Sequence, residues 1–241
     1  MKSKTMFSTV MLCVFSVVPS FAEDFCDIIG GTITNNITLN VPTDYATIQD
    51  ALECLGDKSI HTQTVVTIKI ADGTYNNYDP IVIDHPSGKQ IEIIGNTSSH
   101  SSVTINFKNG NGIDVSEGSA IGKIDGLTLV GGGSGGVGIN ATYKSFVRCG
   151  PNLTISDFHT GIYAFGGAAV FCRDITSKDN DYDGIYANGT SYIDANGATA
   201  KDNARYGVAA FSISFIDFRS GSATGNTSAN ITSDTSSTIE Q

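Results

Sequence analysis

Apolar residues in the second half of the chain recur with a period of 23 positions. The period is marked by four glycines and one asparagine, each followed by a β-branched residue: Gly138, Gly161, Gly184, Gly207 and Asn230. The apolar columns lie 1, 3, 9 and 11 positions after each marker, so they are spaced by two within each pair. A spacing of two is the inward face of a β-strand, and a fixed period of this length indicates one unit stacked on itself.

A coil of this length, with two or three short strands, cannot satisfy its own backbone hydrogen bonds. It must pair with the coils above and below it, at about 4.8 Å per rung. The sequence therefore predicts an all-β fold, a right-handed parallel β-helix with about 23 residues per coil. A polar column, Asp157, Asn180, Asn203 and Asn226, is predicted to occupy turns with left-handed backbone and to hydrogen-bond between rungs.

The first half of the chain has a less even pattern that still predicts short strands. Turn dipeptides such as Asp72-Gly73 and Asn109-Gly110 separate apolar runs. The predicted strands cover 65–71, 80–84, 90–95, 103–107, 112–115 and 123–130. One short N-terminal helix is predicted at about 46–56, because Ile48, Leu52 and Leu55 share a helical face.

The N-terminus has the pattern of an export signal. Two lysines precede an apolar run from Met6 to Val18, and residues 20–22 have the small-x-small form of a cleavage site. The run is too short to span a bilayer, and no later segment is a better candidate. We predict a secreted or periplasmic protein with a signal peptide at 1–22, a β-helix domain at 23–229 and a polar tail at 230–241. An uncleaved N-terminal anchor is the alternative.

Composition limits the partners. The formal net charge is −10, and the chain contains no Trp. Such an acidic chain has no electrostatic reason to bind nucleic acid or an anionic membrane. It also repels polyanionic polysaccharides unless a metal ion or a local basic patch intervenes.

Four cysteines follow the signal, and an even number in an exported chain permits two disulfides. They are Cys26, Cys54, Cys149 and Cys172. The count alone leaves three pairings open. We favour 26–54 and 149–172, because Cys149 and Cys172 fall on adjacent rungs at a separation that a disulfide accepts. Alternatively, these two are simply small buried apolar residues.

Three segments resemble the pectin-lyase-like right-handed β-helix superfamily: Val41–Leu52, Val66–Tyr75 and Ile91–Asn96. They are similar to the entry segment of pectin methylesterases and of related β-helices in bacteriophage tail proteins. The resemblance covers about residues 38–107, and it implies that the helix caps the N-terminal end of the coil stack.

The catalytic motifs of these relatives are missing. Asn76 stands where the resembling esterases carry an acidic residue, and the chain lacks their Arg-Pro-Trp segment. The polygalacturonase-like set of paired Asp, Gly-His-Gly and Arg-x-Lys is absent, as is the Trp-x-Asp-His of pectate lyases. Pectin methylesterase activity is therefore disfavoured, and a polysaccharide lyase or glycoside hydrolase is the enzyme class left open.

The same resemblance implies that a polysaccharide site would lie on the sheet built from the Gly-Ile strands. Outward positions of these strands, and the residues leading into them, form a predicted saccharide-binding set: Asn140, Tyr163, Tyr182, Tyr186 and Tyr206. Aromatic rings cover apolar sugar faces, while amides and carboxylates hold hydroxyls. The alternative is an ordinary flank whose tyrosines stabilise the fold by stacking across rungs.

Four residues on the same flank are candidates for catalysis: His159, Asp181, Asp183 and Arg205. The two aspartates have the chemistry of an acid–base pair in glycoside hydrolysis, and His159 is a candidate base. Alternatively, His159 is a surface turn residue.

Asp179, Asp181 and Asp183 also form the first half of a calcium loop, with alternate carboxylates able to converge on Ca²⁺. Thr190 occupies the position where an EF-hand has Glu, so a complete EF-hand is excluded. A bound Ca²⁺ would offset the repulsion between this chain and an acidic sugar. Acidic turns without a metal are the alternative.

We predict an exported β-helix that binds a polysaccharide along this flank. Cleavage of the bound polysaccharide is the enzymatic form of the same prediction. The alternative is a non-catalytic structural or adhesin-like module, in a homotrimer or a larger surface or tail assembly.

Overall fold

The computed structural model describes residues 31–56, 58–77, 79–132 and 135–241. Within them the chain forms a parallel β-helix: three sheets run along its axis, and each complete coil contributes one strand to each sheet. One coil is called a rung below. Every strand pair in the three sheets is parallel, so each strand bonds to the coil before it and the coil after it.

The strands of each sheet follow one another in chain order along the axis. Sheet 1 contains Ile37–Val41, Val66–Ile70, Ile91–Ile94, Ala120–Asp125, Phe146–Cys149, Ala169–Phe171, Tyr192–Asp194, Phe215–Asp217 and Thr238–Glu240. Sheet 2 contains Gly73–Asn77, Val103–Phe107, Leu127–Val130, Leu153–Ser156, Thr176–Lys178, Thr199–Lys201 and Ser222–Thr224. Sheet 3 contains Ile81–Ile83, Ile113–Val115, Val137–Thr142, Thr160–Phe165, Asp183–Asn188, Tyr206–Ala210 and Ala229–Ser233.

Short elements complete the described chain. Strand Thr32–Ile33 pairs with Ser59–Ile60, and two 3-10 turns lie at Gly88–Gln90 and His100–Ser102. Helix α1, Ile48–Leu55, starts at a capping box in which Thr47 Oγ1 accepts from the Asp50 N–H and Asp50 Oδ2 accepts from the Thr47 N–H.

Helix α1 covers the N-terminal end of the stack, as the sequence predicted. Its apolar face is buried, and the helix contacts the first strands of sheets 1 and 3. This face excludes water from the end of the core and blocks pairing of another chain at that end.

The interior is filled by the predicted apolar columns. The residues 1 and 3 positions after each column glycine, such as Ile185 and Ala187, have no solvent exposure, and neither do Val170 and Ile193. The register joins Ile139, Ile162, Ile185, Val208 and Ile231 across successive rungs of sheet 3. The predicted parallel β-helix with a period of 23 is therefore confirmed.

An asparagine ladder runs beside this core. Asn180 Nδ2 donates to Asn203 Oδ1, and Asn203 Nδ2 donates to Asn226 Oδ1, each at 2.8 Å. The predicted inter-rung bonding is confirmed, but the left-handed backbone lies one residue earlier, as at Asp179 and Asp202. Asp157 belongs to that left-handed column rather than to the ladder, because sheet 2 pairs Thr154 with Thr176, only 22 positions away.

The ladder explains the glycine column. A Cβ on Gly184 would lie 2.6 Å from the carbonyl oxygen of Gly207 and 2.7 Å from Asn203 Nδ2. Gly207 has the same relation to Asn230 and Asn226. The recurring glycine is therefore required by the close approach of the next rung and its amide.

Cys149 and Cys172 form a disulfide between adjacent rungs of sheet 1, with a Cα–Cα distance of 4.5 Å. This pairing is therefore confirmed. Cys26 lies outside the described residues, so the pairing of Cys26 with Cys54 stays a prediction.

The predictions for the two ends of the sequence have different outcomes. The predicted signal at 1–22 lies outside the described residues. Residues 230–241 are not a separate tail, because Ala229–Ser233 and Thr238–Glu240 pair as strands of sheets 3 and 1. They continue the inward columns with Ile231 and Ile239, which pack against the core.

In the part of the chain that the structure describes, no helix is long and apolar enough to cross a membrane.

Candidate functional site

The outer face of sheet 3 carries a tyrosine strip, defined here as Asn140, Tyr163 and Tyr186. The register places the three side chains on successive rungs. The rings of Tyr163 and Tyr186 stack with their centroids 5.4 Å apart and their planes 14° from parallel. Stacking covers the facing sides of both rings, so the strip offers ring edges and hydroxyls more than ring faces.

Polar groups frame the strip. Asn140 Nδ2 donates to Asp114 Oδ1 at 2.9 Å on the preceding rung, and Asn188 Nδ2 donates to Tyr186 Oη at 3.2 Å. Burial, followed by the neighbouring phenols, raises the pKa of Tyr163 above its ordinary value of 10.0. Burial is also the largest cause that raises the pKa of Tyr186. Both hydroxyls therefore stay protonated at neutral pH and can donate as well as accept.

The column leading into the sheet 3 strands is stacked. The ring of Tyr182 lies 4.6 Å from that of His159, measured between centroids, and Arg205 Cζ lies 3.4 Å from the centroid of Tyr182. Arg205 Nη1 also donates to Tyr182 Oη at 2.6 Å, and Arg205 Cζ lies 4.4 Å from the ring of Tyr206. The structure thus brings His159, Tyr182, Arg205 and Tyr206 together, in an arrangement that holds the guanidinium still.

Asp183 is locked by Arg205. Its side chain has no solvent exposure, and its two carboxylate oxygens accept from Nε and Nη2 of Arg205. The backbone N–H of Tyr206 also donates to Asp183 Oδ1, at 3.3 Å. Burial alone would lower the pKa of Arg205, but its hydrogen bonds to Asp183 and the charge of that carboxylate raise the pKa overall. The two side chains therefore form a fixed ion pair.

The predicted catalytic residues differ in their exposure and in their hydrogen-bond partners. Asp181 is exposed in the turn before the strand Asp183–Asn188, while Asp183 is buried. His159 Nδ1 lies 3.3 Å from Thr160 Oγ1, a hydroxyl rather than an orienting carboxylate. The catalytic roles stay predictions for His159, Asp181, Asp183 and Arg205.

The predicted calcium loop is not assembled. Across residues 31–241, outside the gaps named above, no group of three or more His, Cys, Asp or Glu side chains is placed to hold a metal ion. Asp183 is held by Arg205, and Asp179 forms an ion pair with Lys178 at 2.6 Å. Calcium binding by Asp179, Asp181 and Asp183 therefore stays a prediction.

A second aromatic row, absent from the predicted set, lies on the outer face of sheet 1. This aromatic ladder, Phe146, Phe171, Tyr192 and Phe215, has successive centroids 5.4, 5.5 and 5.7 Å apart. Tyr192 and Phe215 stand one period apart, each directly before an inward residue. The 23-residue period would therefore have revealed these two residues.

Two buried carboxylates lie beside this ladder. Asp194 accepts from Arg173 Nε at 2.7 Å, and Asp217 accepts from Arg219 Nη2 at 2.7 Å. Each ion pair has the same arrangement as that of Asp183 with Arg205: a buried aspartate is held by an arginine at the surface.

A polar cleft of about 510 Å³ lies near the N-terminal end, lined by Thr34, Asn35, Asn36, His61, Gln63 and Thr64. It contains none of the predicted site residues, and the only titratable side chain in its lining is that of His61.

Comparisons with known proteins leave the family open. No protein family matches the chain, and neither a characterised protein nor a solved structure matches it significantly. The fold class is thus a parallel β-helix, and membership of the pectin-lyase-like superfamily stays a prediction from the N-terminal segments.

Proposed function

We propose that this protein is an exported β-helix that binds a saccharide chain along the tyrosine strip without cleaving it. The observation that carries the proposal is the stacked pair Tyr163–Tyr186, which presents two protonated hydroxyls on successive rungs. Asn140 extends this row by one rung, and Asn188 adds an amide two positions after Tyr186 on the same strand.

A saccharide chain suits this surface because both partners repeat. The rungs recur about every 4.8 Å, and the strip offers one hydrogen-bonding side chain per rung. Tyrosine hydroxyls and amides can each donate to and accept from sugar hydroxyls, and the ring edges add apolar contact. Since stacking already fixes the rings, little side-chain entropy is lost on binding.

Binding without cleavage is favoured by the state of the acids. Asp183 is buried in an ion pair with Arg205, whereas Asp181 is exposed, so the predicted acid–base pair lacks one free carboxyl. Glycoside hydrolysis in its usual form requires two carboxyls that flank one bond.

The test is a glycan array followed by calorimetric titration of the best ligand. The double variant Tyr163→Phe/Tyr186→Phe keeps the stack and removes only the hydroxyls. We expect about a thirtyfold loss of affinity, since each of the two hydroxyl hydrogen bonds contributes about 1 kcal/mol. Tyr192→Phe, the same change on sheet 1, is the matched control and should leave the affinity unchanged.

Three results would contradict the proposal: no glycan bound, equal loss in the control, or new reducing ends or unsaturated uronate released from a polysaccharide. Failure to bind any glycan, together with a stable oligomer in light scattering, would support the structural or adhesin-like alternative.

A further inference from the structure

A cleft of about 330 Å³ opens on the outer face of sheet 1, away from the tyrosine strip. Its lining consists of Arg148, Cys149, Phe171, Arg173 and Asp194. The register places Arg148, Phe171 and Asp194 at the same position of three successive rungs. The cleft is therefore built by the rigid sheet rather than by a loop.

The position of Phe171 explains why this column is open. Ala169 stands between Phe146 and Tyr192 in the neighbouring column, where its small side chain leaves space. The Phe171 ring contacts both aromatic neighbours, at 5.4 and 5.5 Å between centroids. Because the ring fills the neighbouring column, its own column has a gap between Arg148 and Asp194.

The cleft has one cation without an acidic partner. Asp194 is neutralised by Arg173, whose Nε and Nη2 lie 2.7 and 2.6 Å from Asp194 Oδ2. Arg148 is exposed and lies 5.9 Å from the centroid of Phe146, with Lys89 Nζ 5.0 Å from the same centroid. Within the described residues neither Arg148 nor Lys89 forms an ion pair. In a chain of net charge −10, this is a local site for an anion.

The remaining walls select a flat apolar group. Phe171 and Cys149 lie beside Arg148 in the lining of the cleft. An aromatic side chain packs well against another aromatic ring, and a guanidinium pairs with a carboxylate through two parallel hydrogen bonds. The volume is at the lower end of the range for small-molecule sites, which suits a ligand with a single ring.

From this geometry we infer that the cleft binds a single-ring aromatic carboxylate. The carboxylate pairs with Arg148, and the ring packs on Phe171. This site is independent of saccharide binding on sheet 3.

The experiment is calorimetric titration of the full-length protein with benzoate, 4-hydroxybenzoate, benzyl alcohol and glucuronate. Saturable binding of the aromatic acids, at least about tenfold tighter than that of benzyl alcohol, supports the inference. Arg148→Gln should remove this preference for the acid. Arg219→Gln, on the same sheet but outside the cleft, is the matched control and should retain it.

Phe171→Leu keeps apolar bulk and removes the ring, so it should weaken benzoate binding while the protein stays folded in a thermal melt. No saturable binding of the aromatic acids at millimolar concentrations would overturn the inference. Equal affinity for benzyl alcohol, tighter binding of glucuronate, or the same loss in Arg219→Gln as in Arg148→Gln would also overturn it.

Discussion

Arg205 and Asp183 form a two-point ion pair across adjacent rungs, with the carboxylate fully buried and the arginine side chain 23% exposed. The Arg205 side chain thus covers a carboxylate that is buried on the preceding rung. This ion pair, called the clamp below, is a structural contact between two residues of the predicted catalytic set. It also holds the guanidinium against Tyr182 and Tyr206.

Replacing Arg205 with Gln should lower the free energy of unfolding by about 3 kcal/mol, because a buried carboxylate loses its counter-charge. The double variant Asp183→Asn/Arg205→Gln should be more stable than Arg205→Gln alone, since no charge is then left buried. Urea denaturation measures both changes.

Lys178→Gln is the matched control for this clamp. It breaks the exposed Lys178–Asp179 pair and should change the free energy of unfolding by less than about 1 kcal/mol. A loss as large as that of Arg205→Gln would mean that burial of Asp183 is not the cause.

Gly184→Ala should lower the free energy of unfolding by about 2 kcal/mol. The new Cβ would lie 2.6 Å from a backbone oxygen of the next rung and 2.7 Å from a hydrogen-bonded amide, neither of which can move freely. Gly31→Ala meets no atom within 4 Å and should stay within about 0.5 kcal/mol of the parent. Equal melting temperatures for the two variants would contradict the packing explanation for the glycine column.

The repeat made the interior predictable from sequence. Ile162 and Ile185 occupy equivalent positions one rung apart, so spacing alone assigns them to the same inward column. The asparagine ladder follows from the same spacing. The place of Asp157 did not, because the pairing of Thr154 with Thr176 shortens that coil by a residue.

The outer surface was less predictable, because the period places a side chain on a rung without saying what covers it. Asp181 and Asp183 are two positions apart, yet one is exposed in a turn and the other lies beneath Arg205. Likewise, Phe171 leaves its own column for the space above Ala169. Such a displacement depends on neighbouring side chains rather than on spacing.

The Cys149–Cys172 disulfide closes a loop with a sequence separation of 23, and its loss should lower the free energy of unfolding by about 3 kcal/mol. Urea denaturation with and without reductant measures this effect. In Cys149→Ala/Cys172→Ala the reductant can act only on other cysteines, so its remaining effect is subtracted. A parent protein no more sensitive to reductant than this variant would show that the bond does not stabilise the stack.

Asp217 should make the free energy of unfolding depend on pH in the acidic range. The hydrogen bond from Arg219 is the largest cause that holds the pKa of this carboxyl below its ordinary value of 3.8. Because the folded pKa is below the unfolded one, the contribution of Asp217 is complete above about pH 4 and is lost as the pH falls through the folded pKa. The stability difference between the parent and Asp217→Asn should therefore shrink in urea titrations below about pH 4. In the Arg219→Gln background the same difference should depend less on pH, and an unchanged dependence there would assign the lowered pKa to another group.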